Sequence, residues 1–398
     1  MKKILSVALL LVSGVLSYAQ KFDYNIGFDY LFYNYEYGIS RYFVGEDSYY
    51  PYQHSHTLHG VRLTPEAGLL VAQSPSAFHR LRVGIDVFKQ MGQEVENLGL
   101  FRELILYYNA EAYFNGGGHL EAWAGCFPRR FSSGTGYLGP VWDTEYRWLD
   151  PNVEGFLVKY QIDKKLRAEL MFDWPGMTGD DSSPLRRERF RILSDGSWRF
   201  AGDFSLGWTA SLYHLSKSPT CNNVVDYDIF NPRLEWAPFT WMDDFRLELG
   251  GLFTYQYDRA NTPAPVFPMG LWSLQTVSKW HVTVTNRFYW GEDLMPYYNS
   301  SFEGIPYARE LYVAEPAFKT LHADPSWCDW LTIAYQLRIS SWLSIDAAVT
   351  LHAGQPVEAL GFGVFRGSDQ RIGVKLDFDS LRPHPRKPKT SAKKGYSL

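Results

Sequence analysis

Eight residues near the end of the chain, 371–378 (RIGVKLDF), constrain the fold more than any other stretch of the 398-residue sequence. Ile372, Val374, Leu376 and Phe378 share one face, while Arg371, Gly373, Lys375 and Asp377 share the other. Side chains of a strand point alternately to opposite sides, so this segment is apolar on one side and wet on the other. Lipid outside and water inside is the setting that suits such a strand, and its aromatic end fits the boundary of a bilayer.

The alternation recurs along the chain. Phe22, Tyr24, Ile26, Phe28, Tyr30 and Phe32 oppose Asp23, Asn25, Gly27 and Asp29. Leu104, Leu106, Tyr108, Ala110, Ala112 and Phe114 oppose Glu103, Tyr107, Asn109 and Glu111. Leu166, Ala168, Leu170, Phe172 and Trp174 oppose Arg167, Glu169 and Asp173. Two further runs, starting at Phe245 and Leu343, set Arg246, Glu248, Asp346 and His352 against apolar partners. Such runs match the ~9–11 residues that cross a bilayer at a tilt. A soluble β-sandwich also alternates, but its strands average ~5–6 residues. A charge turned into lipid costs ~2–4 kcal/mol at the midplane, so the charged faces line a wet interior. Aromatic residues make up 17% of the chain, with 14 Trp and 27 Tyr, enough to furnish belts at two water–lipid boundaries.

Connection lengths give a second line of argument. Long links are expected at residues 34–56, 131–151, 175–186 and 291–329, with tight ones at 74–77, 116–118, 163–164, 195–197, 278–279 and 340–341. Long and short links alternate, as they do when every second turn faces the periplasm. The expected fold is therefore all-β, a transmembrane antiparallel barrel of about 16 strands. Residues 222–236 break the alternation. Residues 311–318 and 358–365 would raise the count to 18 if both were strands, and merging weak hairpins would lower it to 14.

Three segments are expected. Lys2 and Lys3, the apolar run 4–16 and Ser17-Tyr18-Ala19 read as a signal peptide over residues 1–19, with cleavage before Gln20. Residues 20–378 form the barrel. Residues 379–398 carry Arg382, Arg386, Lys387, Lys389, Lys393 and Lys394 against Asp379, with Pro383, Pro385 and Pro388 opposing regular structure. This basic tail reads as solvated and disordered in the periplasm, with tethering to the cell wall or an acidic envelope partner as the sharper alternative. Its position excludes a nucleic-acid partner. Cys126, Cys221 and Cys328 form no disulfide framework or metal pair.

The lumen faces carry both signs of charge. Pore-lining candidates are Arg80, Arg82, Asp86, Glu103, Glu111, Arg246, Glu248 and Asp346, together with Arg187, Arg189 and Arg191, three guanidiniums spaced by two. Facing acids, such a ladder orients hydrated polar solutes; paired across strands, it is ordinary wall. The long link 291–329 is the candidate constriction or binding element, through Tyr297, Tyr298, Tyr307, Tyr312 and Trp327. The same aromatics also suit a lid packed on the rim. His54, His56 and His59 lie close together, but without a second ligand cluster no metal or other cofactor is expected. Enzyme motifs are absent, although His119, His214, His281 and His352 lie in strands.

Residues 371–378 also resemble the signal by which the bacterial barrel-assembly machinery recognises outer-membrane barrels, with Arg371, Gly373, Leu376 and Phe378 in the characteristic places. With the Ala19-Gln20 start and the long aromatic strands, residues 20–378 resemble porin-like outer-membrane β-barrel proteins of Bacteroidota. The resemblance implies a place in the cell outer membrane, contact with its lipid, and passive diffusion of small polar solutes or ions. Two alternatives stand beside it. One is a non-conducting scaffold or ligand-binding subunit acting with a surface lipoprotein or glycan; the other is a barrel-type hydrolase.

Overall fold

The structure, a computed structural model, describes residues 20–37, 56–92, 100–133, 139, 141–176, 187–217, 222–238, 241–298, 300–302, 305–306, 311–315, 318–320, 322–358 and 362–378. The leader at 1–19 and the tail at 379–398 lie outside the described residues, as do His54, Tyr307 and Cys221.

Sixteen antiparallel strands close into a barrel. In chain order they are β1 (Gln20–Tyr37), β2 (His56–Ser74), β3 (Ala77–Gln90), β4 (Phe101–Tyr113), β5 (Gly118–Pro128), β6 (Asn152–Ile162), β7 (Leu166–Gly176) and β8 (Arg189–Ala201). They continue as β9 (Phe204–Leu215), β10 (Val225–Trp236), β11 (Asp244–Asp258), β12 (Met269–Lys279) and β13 (Val282–Gly291). A two-residue hairpin follows, β14 (Ser301–Phe302) with β15 (Ile305–Pro306), outside the barrel sheet. The last barrel strands are β16 (Ser326–Arg338), β17 (Leu343–Gly354) and β18 (Phe365–Asp377). Among the described residues of 311–318 and 358–364 no further barrel strand occurs, and the sheet closes with sixteen strands rather than eighteen.

Residues 371–378 lie where the sequence placed them. β18 pairs with β1 from Gly27↔Asp377 to Tyr37↔Gly367 and closes the sheet, and Phe378 just beyond it stacks on Trp342 with ring centroids 5.4 Å apart. Closure leaves no edge, which lipid requires because it offers backbone N–H and C=O groups no partner. The alternation has a physical outcome on each face. Phe22, Leu104, Leu170, Leu249 and Val349 are exposed to the outside, while Asp23, Asn109, Glu169, Glu248 and Thr350 are buried inside. The apolar belt, with no open edge, makes the protein an outer-membrane barrel. Polar groups on the outer face satisfy one another: Asn286 Nδ2 donates to Gln275 Oε1 at 2.9 Å. Strand length is uneven, from 19 residues in β2 to 10 in β13.

Two expected turns are corrected. Ser278-Lys279 end β12, and the two-residue turn that pairs Lys279 with Val282 is Trp280-His281, both at positive φ (50 and 71). Asp195-Gly196-Ser197 runs straight through β8, and the chain turns instead at residues 202–203. Tertiary contacts override the turn chemistry of these three residues. Inside, Asp195 binds Arg167 (2.5 Å), Thr209 Oγ1 (2.7 Å) and Arg233 (3.5 Å). Outside, the Trp208 ring lies over Gly196, where a Cβ would come within 2.1 Å of it.

Residues 222–236 also resolve. β10 points Val225, Tyr227 and Ile229 inward, all buried, so its alternation is masked by apolar residues on the lumen side. Their partners are the inserted segments described below.

Substituting Gly196→Val should therefore cost ~1–3 kcal/mol by overpacking against Trp208, read as a lowered urea midpoint for the barrel refolded into lipid vesicles. Gly202→Asn, at φ 51 with nothing within 4 Å of a Cβ, should leave that midpoint unchanged.

Candidate functional site

A sixteen-stranded barrel is wide enough for a water-filled lumen unless something fills it. Here two connections fold inward. The first runs between β5 and β6, through a 3₁₀ turn at Arg129–Phe131 and a short helix α1 at Thr144–Leu149. The second joins β13 to β16. Together they form a hydrophobic core at the long-loop end of the barrel. Val141 and Trp142 of the first pack with Leu294, Met295, Leu311 and Phe318 of the second, against inward residues such as Ile105, Leu193, Tyr213, Leu252 and Tyr289.

The two segments bond to each other and to the wall. Asp143 N–H donates to Val313 O (2.7 Å), and Glu315 N–H to Gly139 O (3.0 Å). Arg129 is the main anchor of the first segment. It pairs with Asp173 at 2.6 Å and Asp150 at 3.3 Å, donates to Asn152 O at 2.6 Å, and lies 4.4 Å from the centroid of Trp142. Trp148 packs beside Tyr33, Tyr35 and Leu58, so the segment reaches across to β1 and β2. In the second segment Tyr312 donates to Gln256 Oε1 at 2.6 Å, and Gln256 Nε2 donates to Leu294 O at 2.9 Å.

The expected loop aromatics divide accordingly. Tyr297 and Tyr312 are buried in the plug, Tyr298 stacks on Tyr312, and Tyr307 lies outside the described residues. Trp327 is placed differently from expectation: it stands within β16, its neighbours Ser326 and Cys328 turned inward.

The guanidinium ladder is consumed in the same construction. Arg191 donates to Val141 O at 2.9 Å and lies 4.3 Å from the centroid of Tyr213. Arg187 holds Ser216 O (2.8 Å) and Asn223 O. Arg189 opens β8. Two of the three thus tie wall to loop rather than lining open water.

The β1–β4 wall is likewise sealed by ion pairs. Arg82 meets Asp23 (2.6 Å) and Glu66 (3.4 Å), Arg80 meets Asp23 (2.8 Å) and Glu111 (3.5 Å), and Asp86 pairs with Arg62. Arg130 of the first segment joins this set through Glu66 at 3.2 Å. Glu103 accepts from Asn152 Nδ2 at 2.7 Å.

Open space remains along the opposite wall. A cavity of about 630 Å³ is lined by β7–β13 and reaches the turn residues Asp163 and Lys164 and, near the end of β12, Ser278, at the end that carries the short turns. A second, of about 220 Å³, lies higher, between Gly139, Thr144, Glu315 and Phe318 of the plug and Thr332, Thr350, His352, Asp369 and Arg371 of the wall. Trp272, Thr285 and Arg287 line both. Of the expected pore residues, Arg246 and Glu248 face the lower cavity, 3.6 Å apart, while Asp346 pairs with Arg371 at 3.2 Å.

The two cavities are joined by a feature that needs the strand register to be seen. Arg246 is opposite Thr276, Thr276 opposite Thr285, Thr285 opposite Thr332, Thr332 opposite Thr350, and Thr350 opposite Asp369. Every one of these side chains faces the lumen. The hydroxyls of Thr332 and Thr350 are 3.1 Å apart, and Arg287 donates to Thr332 at 3.4 Å. Because barrel strands tilt by ~35–45°, a row perpendicular to them climbs the wall. It rises from Arg246, near the start of β11, to Asp369 beside the bound His352 (2.7 Å). Each threonine reads in sequence as one more polar residue in an alternating strand, so only the register reveals the row.

The remaining strand histidines have other settings. His119 stacks on Tyr113 at 4.2 Å, and His214 meets Asp226 at 2.6 Å. Cys126 and Cys328 are free thiols. Among the described residues no cluster of three or more metal-ligating side chains occurs.

No protein family matches the sequence, and no curated protein is similar to it. Among solved structures, the chain is similar to OmpT, an outer membrane protein of Vibrio cholerae (9% identity, TM-score 0.49, covering 91% of this chain and 98% of that one). It is also similar to an anion-selective porin from Comamonas acidovorans (9%, TM-score 0.46, 90% and 100%) and to Pseudomonas putida OprB (9%, TM-score 0.46, 90% and 94%). The chain is a closed sixteen-stranded antiparallel β-barrel of the outer membrane.

Two predictions concern the plug. Removing one member of a buried ion pair costs ~3–5 kcal/mol, so Arg129→Met should release the first segment, read as protease cleavage within residues 129–151 of the otherwise intact barrel. The second concerns pH. Burial, and next the charge of Glu315, push the Asp143 carboxyl well above the usual carboxylate range. Burial also raises Glu315, against the opposing pull of His352 and Arg287. Docking of neutral carboxyls is therefore complete below the ordinary value near pH ~4 and is lost as pH rises toward the raised ones. The inserted segments should resist protease better at pH ~4.5 than at pH ~8, and Glu315→Gln should reduce the difference.

Proposed function

We propose that the protein is an outer-membrane channel for passive diffusion of small polar solutes, which pass along the threonine row between the plug and the β11–β18 wall. The continuous row from Arg246 to Asp369, with a cavity at each level, is the observation that carries this reading. Hydroxyls suit the task because they donate and accept weakly, replacing part of a solute's hydration without holding it. Arg287 and Arg371 stand near Glu315 and Asp369 at the narrow upper cavity, so a transverse field orients what enters. The mechanism is exclusion by size and field, with no bond made or broken.

The buried aromatic core of the plug favours a second reading, a non-conducting subunit that presents its outer loops to a surface partner. Conductance across a planar bilayer separates the two. Small, steady channels are expected from the folded protein. Thr332→Trp, which fills the row at its narrow part, should reduce conductance several-fold, whereas Val284→Trp on the lipid side should not. The absence of channels across a range of salts and voltages would defeat the channel reading and leave the scaffold.

A further inference from the structure

The lower cavity has a charge character that the chain as a whole does not. The protein carries a net −4, yet arginines outnumber glutamates on the cavity wall. Both glutamates of that wall are already committed, and its two aspartates, Asp163 and Asp244, stand toward the short-turn end. Arg233 takes Glu235 and Glu248, each at 3.1 Å, and reaches Asp195 behind them at 3.5 Å. Ser197 also donates to Glu235.

That leaves Arg199 of β8 and Arg287 of β13 without an ion pair among the described residues, on the two flanks of the cavity. Arg246 has only the longer contact to Glu248, 3.6 Å. The Nε atoms of Arg199 and Arg246 are buried without a hydrogen-bond acceptor. A buried donor left in that state costs ~1–3 kcal/mol, more when charged, so the site is short of acceptors. Register joins the flanking pair through one climbing row, and both line the same cavity. Arg199 lies opposite Ser205, Ser205 opposite Glu235, Glu235 opposite Glu248, Glu248 opposite Leu274, and Leu274 opposite Arg287.

We propose that this cavity is an oxyanion-binding vestibule, entered from the periplasmic end, in which Arg199, Arg246 and Arg287 hold a carboxylate- or phosphate-bearing solute. A planar guanidinium matches both groups in two-pronged fashion, and the cavity's 630 Å³ takes an organic anion of several carbons. The hydroxyls of Thr276 and Thr285 then lead the bound solute toward the row. This assigns a solute class to the channel and rests on that reading for transport, but binding stands without it.

The test uses the folded full-length barrel in detergent at low salt. Citrate and inorganic phosphate are titrated calorimetrically into the native protein, into Arg199→Gln/Arg287→Gln, and into the charge-preserving Arg199→Lys/Arg287→Lys; heat-modifiable gel mobility confirms folding. The expected result is binding of at least one anion, weakened tenfold or more by the glutamine pair and less by the lysine pair. The stronger of the two anions identifies the carboxylate or the phosphate arm. Binding that is equal in native and glutamine proteins, or absent for both anions at millimolar concentration, overturns the site. In planar bilayers the bound anion should reduce chloride current when added on one side only. Channels with neither binding nor block sink the vestibule and leave the channel; anion binding without channels does the reverse.

Discussion

Lipid offers a backbone no hydrogen-bond partner, and most of this molecule follows from that constraint. Every N–H and C=O within the bilayer must be satisfied by a neighbouring strand, so the sheet has to close, which the β1–β18 seam accomplishes. Closure at sixteen strands requires tilt and stagger. Tilt in turn makes a row of registered residues rise along the wall, so that neighbouring strands holding threonine at one register position build a ramp rather than a ring. The proposed path is thus a by-product of how the sheet satisfies its own backbone.

Closure at this size creates a second demand, because the interior is wider than side chains can span. Two connections supply the missing mass. They bury aromatic and aliphatic side chains on the inner wall, where a fully water-filled barrel would present polar groups. The division is lateral as well as vertical. The β1–β4 wall is closed by interlocked ion pairs, the plug fills the loop end, and the space that remains runs along β7–β18. Arg191 shows the cost of reading charge without context, since a guanidinium buried against Tyr213 and a loop carbonyl contributes to cohesion and not to a pore.

Much of this was legible in the sequence because a strand's period of two survives wherever one face meets lipid. Residues 371–378, the aromatic run from Phe22, and the tight turns at Pro75-Ser76 and Asp163-Lys164 all followed from local rules. The failures share a cause. Asp195-Gly196-Ser197 has turn chemistry, yet three inward partners and the Trp208 ring keep it extended. β10 lost its alternation because the plug, itself apolar, reversed what its inner face needed. The first inserted segment went unremarked because its anchors, Arg129 with Asp173 and Trp142 with Arg191, lie far apart in sequence. The threonine row is invisible for a related reason: each member is ordinary within its own strand.

The unequal strands have a consequence for how anything reaches the channel. β2 exceeds β13 by nine residues, and the turns at the periplasmic end are short on both sides, so the excess stands at the outer end. At ~3.3 Å per residue and a tilt near 40°, that is about 20 Å of additional wall. The barrel is cut obliquely, like a quill. Its high side stands over β1 and β2 and its low side over β12 and β13. On the channel reading proposed above, solutes would arrive from one bearing, and a neighbouring membrane protein pressed against the low side would govern entry without touching the plug.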